Sequence, residues 1–286
     1  MPPNKLPEGL DEADVRRVID AALAEDVGDG DITSVSVIPP ETRFKGVMAA
    51  REPIILAGIA IAERVFAQVE PASVFTPLAR DGERLDAGAV IARIEGPAQG
   101  LLTAERTALN LLQHLSGIAT LTRRYADAIA GTGCMLLDTR KTIPGLRRLA
   151  KYASRMGGAM NHRMGLYDGV LIKDNHVAVC GSVGEAIRRA KADHRPNIEA
   201  ECDTLAQVQE ALDAGADLIL LDNMLAPTLV EAVNLVAGQI PLEASGGVTL
   251  ETIRAIAETG VDYVSVGRLT QSAPAVDIGL DWQTHD

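Results

Sequence analysis

The sequence has few aromatic residues, no net positive charge and no long apolar run. Phe, Trp and Tyr make up 3% of the 286 residues, which is too few for the stacking platforms that bind single-stranded nucleic acids. The net charge of −12 also argues against nucleic acid as a partner, because phosphate backbones are bound by extended basic surfaces. No apolar run approaches the roughly 18 residues of a membrane-spanning helix, so we expect no membrane segment.

Cysteine is scarce as well. Cys134, Cys180 and Cys202 are isolated from one another, and no CxxC or Cys/His metal spacing links them. An odd number of isolated cysteines indicates reduced thiols, which are typical of cytoplasmic proteins. The first ten residues, MPPNKLPEGL, contain no apolar signal core. We therefore expect a cytoplasmic protein.

Residues 138–173 concentrate positive charge in this acidic chain, with eight Lys or Arg residues against two Asp residues. An anion site is the simplest explanation of such a concentration. The alternative, a solvated basic helix face, suits the cations between Arg147 and Arg155. It suits the other four less well, because they lie beside Gly, Pro and strand ends: Arg140, Lys141, Arg163 and Lys173.

The chain before residue 100 predicts a small domain of helices and short strands. Apolar periodicity predicts helices over residues 10–24 and 59–69. Short β-rich runs bounded by turn signals predict strands at residues 44–50, 54–56, 74–78 and 89–94. A long helical tract over residues 101–130 follows this domain.

From residue 135 onwards, apolar β-rich runs alternate with amphipathic helical ones. Strands are predicted at residues 135–137, 170–172, 198–200, 218–221, 241–242 and 263–266. Helices are predicted at residues 183–191, 205–214, 228–236 and 250–259. This alternation indicates a parallel sheet, and the number of repeats favours a (β/α) barrel or a variant of one. The functional residues of such barrels follow the strands directly.

Glycines after two of the late strands indicate a phosphate site. Ser245, Gly246 and Gly247 lie between a predicted strand and a predicted helix, where backbone N–H groups can approach an anion. Gly267 follows the next strand, and the last two βα loops of barrel enzymes commonly bind phosphate. A pair of tight turns without a ligand is the alternative interpretation.

Two acids follow neighbouring strands, and their carboxylates can converge. Glu201 and Asp222 would supply the oxygen ligands that Mg²⁺ prefers. They could instead be ordinary acids that neutralise the cationic loops. Lys173, at the end of a strand, also fits the Schiff-base lysine of a class I aldolase. His162 is either a hydrogen-bond donor to a carboxylate or a loop anchor.

Several segments together resemble the quinolinate phosphoribosyltransferase family almost from end to end. They begin with EDVGDGDITS and continue through TAERTALNLLQHLSGIAT, LLDTRKTIPGLR, KYASRMGGAMNHRMGLYDGVLIKDNH, LDN, EASGGV and APAVDIGLD. The resemblance implies an α/β fold, with an N-terminal α/β sandwich domain and an incomplete, seven-stranded (β/α) TIM-like barrel. The domains are expected at residues 1–117 and 118–270, followed by a C-terminal tail, 271–286, that packs back on the N-terminal domain.

The reaction implied by this resemblance joins quinolinate to 5-phosphoribosyl-1-pyrophosphate, on the route to NAD. Its products are nicotinate mononucleotide, CO₂ and pyrophosphate. Mg²⁺ is the implied cofactor, and the implied assembly is a homodimer or a higher oligomer. A barrel aldolase that uses Lys173, a non-catalytic binder, and a divergent paralogue acting on another pyridine remain as alternatives.

The resemblance also implies roles for individual residues of this sequence. The quinolinate carboxylates are expected to contact Arg140, His162, Arg163 and Lys173, together with Arg106 from the other subunit of the dimer. The catalytic group comprises Lys141, Lys173, Glu201 and Asp222, the last two near Mg²⁺. The phosphoribosyl pyrophosphate is expected at Lys141, Glu201, Asp222, Ser245, Gly246, Gly247 and Gly267. Gln271 stands where some relatives have a histidine near the 5-phosphate, and its amide can still donate a hydrogen bond.

Overall fold

A computed structural model describes residues 6–282 of the chain. Residues 1–5 and 283–286, which begin the predicted N-terminal domain and end the predicted tail, lie outside the described residues. The chain divides into two compact units that alternate along the sequence. The first comprises the described parts of residues 1–123, 142–157 and 270–286, and the second comprises residues 124–141 and 158–269. The first unit therefore includes residues 142–157, which lie inside the range expected for the barrel.

The first unit contains antiparallel strands and several helices. Its strands are β1 (Arg43–Ala50), β2 (Ile54–Ile55), β3 (Val74–Pro77), β4 (Arg84–Leu85), β5 (Val90–Pro97) and β12 (Ile278–Trp282). Its helices are α1 (Glu12–Asp26), α2 (Ile32–Val37), α3 (Ile59–Val69), most of α4 (Ala98–Ala128) and α5 (Arg147–Gly157). One division between the units falls within the last turns of α4, and another falls within α11 (Arg268–Gln271).

A four-stranded antiparallel sheet forms the centre of the first unit, in the order β12-β1-β5-β3. β12, which no sequence pattern predicted, pairs with β1 from Gly46↔Trp282 to Ala50↔Ile278. α1 begins at Asp11, whose carboxylate accepts the N–H groups of Ala13 and Asp14. The buried side chains of this unit form one apolar cluster that includes residues of α1, α3, α4, β1 and β5.

The sequence suggested a solvated face for the cations of the basic helix α5, but these cations are at most partly exposed. Lys151 is fully buried, and Arg148 forms an ion pair with Asp14 at 2.5 Å. Arg155 donates to the backbone oxygen of Glu8 at 2.7 Å. These contacts lie within the first unit, so the cations of α5 serve packing there.

The second unit is a parallel sheet with helices between its strands. Its strands are β6 (Met135–Leu137), β7 (Val170–Ile172), β8 (Ile198–Cys202), β9 (Leu218–Asp222), β10 (Leu242–Ser245) and β11 (Tyr263–Ser265). Its helices are α6 (Asp174–Cys180), α7 (Val183–Ala192), α8 (Leu205–Ala214), α9 (Ala226–Val236) and α10 (Ile253–Ala257). The strand order is β6-β11-β10-β9-β8-β7, and the neighbours pair in parallel. This alternation confirms the predicted incomplete barrel.

The barrel was expected to have seven strands, whereas the described residues form six regular strands. A single parallel bridge, Leu137↔Met160, continues the sheet beyond β6. Met160 donates to the oxygen of Leu136 at 2.8 Å and accepts from the N–H of Asp138 at 3.1 Å. A bridge of one residue, Met160, therefore takes the place of a seventh strand. Between residues 6 and 282, no helix combines the length and the apolar character needed to cross a membrane.

Candidate active site

A cleft opens at the carboxyl ends of the parallel strands, within the second unit. Its lining is mainly charged or hydroxyl-bearing, with two apolar side chains at its wall. It is formed by Thr139, Arg140, Lys141, His162, Arg163, Leu171, Lys173, Glu201, Leu220, Asp222, Glu243, Ser245 and Ser265. Because parallel strands end at the same edge of a sheet, residues distant in sequence meet here.

Most of the sequence-predicted site residues lie together in this cleft. Eight of them line it: Arg140, Lys141, His162, Arg163, Lys173, Glu201, Asp222 and Ser245. Gly246 and Gly247 follow Ser245 directly, and Gly267 follows β11 by two residues. Arg106 and Gln271 belong to the first unit, so their expected contacts with substrate stay predictions.

Lys173 and Glu201 form an ion pair in the cleft. The Lys173 Nζ lies 2.5 Å from the Glu201 Oε2, and the Glu201 side chain is only 8% exposed. Burying a carboxylate is costly unless it is paired with a cation or receives hydrogen bonds. The ammonium group of Lys173 therefore stabilises the buried negative charge of Glu201.

Asp222 lies near Glu201 at the neighbouring strand end. Burial raises the pKa of Asp222, and the charge of Glu201 raises it further, while Lys173 and Lys141 lower it. Its carboxylate also accepts a hydrogen bond from the Asn223 side chain at 2.5 Å. Carboxylates that repel each other at adjacent strand ends suit a divalent cation with oxygen ligands. This donor set fits Mg²⁺.

The loop after β10 favours glycine at its first two positions. Gly246 and Gly247 have φ values of +90° and +61°, in the region that other residues rarely adopt. A Cβ on Gly246 would lie 2.2 Å from the Asn223 Oδ1. The loop is held by hydrogen bonds from the N–H of Asn223 to the Ser245 oxygen and from the Ser265 Oγ to the Ser245 Oγ, both 2.9 Å long.

The helix after this loop is shorter than predicted. It was expected over residues 250–259, but α10 spans Ile253–Ala257. The intervening Thr249 and Thr252 form a turn in which the Thr249 N–H donates to the Thr252 Oγ1 at 3.0 Å. Any anion at Gly246 and Gly247 would therefore meet loop N–H groups rather than a helix N-terminus.

Two guanidinium groups of the cleft, those of Arg140 and Arg163, interact electrostatically. Burial lowers the pKa of Arg163, and the positive charge of Arg140 lowers it further. Arg163 is oriented by donating from its Nη1 to the backbone oxygen of Gly169 at 2.9 Å. An anion between the two groups would replace their repulsion with paired attraction.

His162 is held on both sides of its ring. Its Nδ1 accepts the N–H of Arg163 at 2.8 Å, and its Nε2 lies 3.1 Å from Glu199 Oε2 and 3.5 Å from Glu243 Oε2. Burial lowers the pKa of His162, but these two carboxylates raise it more strongly, to about 10. Its backbone N–H donates to the buried Asp138 at 2.9 Å. A hydrogen bond from the ring to a substrate would require one of these contacts to be exchanged.

Sequence reasoning missed several residues of this region, and Ser265 is one of them. Leu171 and Leu220 line the cleft, as does Glu243, whereas Glu199 lies behind it. Glu199 and Glu243 are 8% and 1% exposed, and each lies inside a strand rather than after one. The two-residue period of a strand could have predicted Glu199. It precedes Glu201 by two residues, so the two side chains lie on the same face of β8.

The chain matches two family models and many known proteins. "Quinolinate phosphoribosyl transferase, N-terminal domain" matches residues 31–116, and the C-terminal domain model of the same name matches residues 118–281. The chain is 47% identical over 274 residues to a nicotinate-nucleotide pyrophosphorylase [carboxylating] from Mycobacterium leprae, covering 93% of this chain and 96% of that one. A probable enzyme of this name from Bacillus subtilis is 43% identical over 274 residues, covering 95% and 94%. The solved nicotinate-nucleotide pyrophosphorylase from Francisella tularensis has a TM-score of 0.92 and 39% identity, with 98% of each chain covered.

Substituting Gly246 should cost more stability than substituting its neighbour. Gly247→Ala is the matched control, because its φ is also positive but nothing lies within 4 Å of the added Cβ. We expect the control to lower the free energy of unfolding by about 1–2 kcal/mol from backbone strain. Gly246→Ala should lose more, since its Cβ also meets Asn223. Urea denaturation measures both, and equal losses would contradict the assigned contact.

Proposed function

We propose, because this chain belongs to the quinolinate phosphoribosyltransferase family, that the cleft of the second unit is its active site. The enzyme transfers phosphoribosyl from 5-phosphoribosyl-1-pyrophosphate to quinolinate and releases nicotinate mononucleotide, CO₂ and pyrophosphate. The observation that carries the assignment of the site is the composition of the cleft. Cations for carboxylates, acids for a metal and a glycine loop for phosphate all line or flank one opening.

Quinolinate would bind among Arg140, Arg163 and Lys173. Two adjacent carboxylates bring two negative charges, and each charge pair at roughly 4 Å is worth about 4 kcal/mol at an effective dielectric constant near 20. The planar guanidinium fork can contact both oxygens of a carboxylate. The apolar side chains of Leu171 and Leu220 would contact the pyridine ring between these polar groups.

The phosphoribosyl pyrophosphate would occupy the other half of the cleft. Gly246, Gly247 and Gly267 would present backbone N–H groups to its 5-phosphate, with Ser245 beside them. Glu201 and Asp222 would face the ribose hydroxyls and hold Mg²⁺. When bound, the metal ion would neutralise charge on the pyrophosphate oxygens.

The chain's own groups would act mainly by alignment and electrostatics. The cations hold quinolinate so that its ring nitrogen faces the anomeric carbon. Lys141 and Lys173 stabilise the negative charge that develops on the departing pyrophosphate. Once the nitrogen is alkylated, the pyridinium ring can accept the electrons left as the 2-carboxylate departs. Glycosyl transfer therefore needs no covalent nucleophile from the protein.

The arrangement of Lys173 does not favour a Schiff-base mechanism. Its ammonium is paired with Glu201 at 2.5 Å, whereas an amine nucleophile must be unprotonated. Arg106 of a second subunit would complete the carboxylate site in a homodimer or a higher oligomer. We place the enzyme in the cytoplasm, in keeping with its three free cysteines.

A pyrophosphate-release assay tests the proposed function and separates it from action on another pyridine. Release should require quinolinate, since nicotinate lacks the second carboxylate that the cleft is charged to bind. It should also require Mg²⁺ and stop on addition of a chelator. Release with nicotinate but not with quinolinate would overturn the substrate assignment, and full activity in the chelator would overturn the metal assignment.

Arg140→Lys should weaken quinolinate binding about 10- to 100-fold, because one charged hydrogen bond of the planar fork is lost. Binding of phosphoribosyl pyrophosphate should change little. Calorimetry with each substrate measures the two effects. Arg147→Lys, which makes the same exchange on α5 of the other unit, is the control. Equal losses for both substrates would contradict the assignment of Arg140.

Arg106→Ala and Arg140→Ala should each be inactive alone and partly active when mixed. If Arg106 acts across a dimer interface, a mixed dimer contains one site with both arginines intact. Activity should recover after subunits exchange, which a tagged pull-down can verify. Verified exchange without recovery would show that both arginines serve the same subunit's site.

A further inference from the structure

Two loops supply Arg140, His162 and Arg163 to the proposed quinolinate site. The first loop follows β6 directly and carries Arg140, whereas the second lies in the irregular segment between α5 and β7 and carries the other two. A loop that follows a regular strand is fixed at its start by the sheet. The second loop follows only the one-residue bridge of Met160, so further contacts must hold it in place.

Asp138, the residue between β6 and the first loop, connects the two loops by hydrogen bonds. Its backbone N–H donates to the Met160 oxygen at 3.1 Å. Its Oδ1 accepts the backbone N–H of His162 at 2.9 Å, and its Oδ2 accepts a hydrogen bond from the Asn161 Nδ2 at 2.6 Å. A single residue thus contacts three consecutive residues of the chain that forms the second loop.

Positive charge on both loops explains why a strong connection is needed. Burial lowers the pKa of Arg163, and the positive charge of Arg140 lowers it further. Like charges would separate the loops unless other contacts held them together. The side chain of Asp138 is fully buried, and a carboxylate accepts stronger hydrogen bonds than a neutral group does.

We propose that Asp138 is a positioning residue for quinolinate: through Asn161 and the backbone of His162, it sets the distance between Arg140 and Arg163. This proposal rests on the proposed function and deepens it. The wall of the cleft is formed by the neighbouring Arg140 and not by Asp138. Asp138 therefore acts on the substrate through the two loops that it connects.

The connection should affect one substrate and not the other. The acids proposed for the phosphoribosyl pyrophosphate, Glu201 and Asp222, stand at the ends of β8 and β9, and Gly246 and Gly247 follow β10. These strands pair with one another along their lengths, so the sheet fixes their ends. A shift of the second loop would leave them in place. A residue that only stabilised the fold would not separate the two substrates in this way.

Asn161→Asp tests the contact, because it places a second carboxylate against that of Asp138. Repulsion between the two should displace the second loop. Quinolinate should then bind about 10- to 100-fold more weakly, as for a misplacement of roughly 1 Å, while phosphoribosyl pyrophosphate binds as in the wild type. Calorimetry with each substrate measures both affinities. Asn234→Asp makes the same exchange at an exposed position of α9 in the same unit, and this control should change neither affinity.

The reversed pair, Asp138→Asn with Asn161→Asp, should restore most of the quinolinate affinity. The amide at position 138 keeps an oxygen for the His162 N–H and donates its own N–H to the new carboxylate. Asp138→Asn alone should weaken quinolinate binding by less than Asn161→Asp does, because Asn161 can turn its amide to meet it. The loss of a negative charge alone would instead strengthen the binding of an anion, so tighter binding would contradict a positioning role.

Equal losses for both substrates in Asn161→Asp would overturn the proposal. Unchanged quinolinate binding in that variant would overturn it as well, as would a reversed pair that binds no better than Asn161→Asp. If Asn161→Asp does not fold, Asn161→Ala, which removes the donor without adding charge, must show the same selective loss. Wild-type protein that releases no pyrophosphate with quinolinate would instead refute the proposed function.

Discussion

Repulsion between the cations of the cleft is the constraint on which the rest of the site depends. Burial lowers the pKa of Arg163, and the positive charge of Arg140 lowers it further. The barrel offsets this repulsion with acids placed inside its strands rather than on its surface. Lys173 is paired with Glu201 at 2.5 Å, and His162 lies against two buried carboxylates. Carboxylates of the protein itself therefore compensate Lys173 and His162 in the cleft.

The ion pair of Lys173 and Glu201 also links the proposed quinolinate site to the proposed phosphoribosyl pyrophosphate site. In the proposed arrangement Glu201 would hold Mg²⁺, although its Oε2 is paired with Lys173 here. Lys173 would then leave this pair and contact an anionic group of a substrate. Binding of one substrate would thus prepare a cation for the other or for the leaving group. Separating Lys173 from Glu201 would cost little free energy, because each side chain would exchange one charged contact for another.

The sequence predicted the second unit better than the first for a physical reason. Strands β6 and β7 and helix α8 were predicted with their observed bounds, because local apolar periodicity determines a βαβ unit. β12 was missed because it pairs with β1, more than 200 residues earlier, and no local pattern encodes such a partner. Lys151 was assigned to solvent because its burial depends on packing within the first unit. The seventh strand failed to appear because one residue, Met160, makes the whole bridge.

The candidate site shows the same limit. Lys173, Glu201 and Asp222 were predicted because polar residues that end apolar runs reach the cleft of a barrel. Glu199 and Glu243 were missed because a charged residue within a strand is usually an outward-facing one. Here a buried histidine makes the inward position tolerable, and that histidine comes from a loop some 40 residues before Glu199. Only the tertiary structure brings the three side chains together.

The positions of the acidic side chains on strand β8 depend on the register in which this strand pairs. Glu199 and Glu201 lie on one face of the strand, one near His162 and the other paired with Lys173, and Ala200 between them is fully buried. A slip of one residue would turn both acids to the opposite face of the sheet and place Ala200 on their present face. Neither half of the site would then have its compensating carboxylate. The pairing of β8 with β7 and β9 is therefore a requirement of both substrate sites, and not of the fold alone.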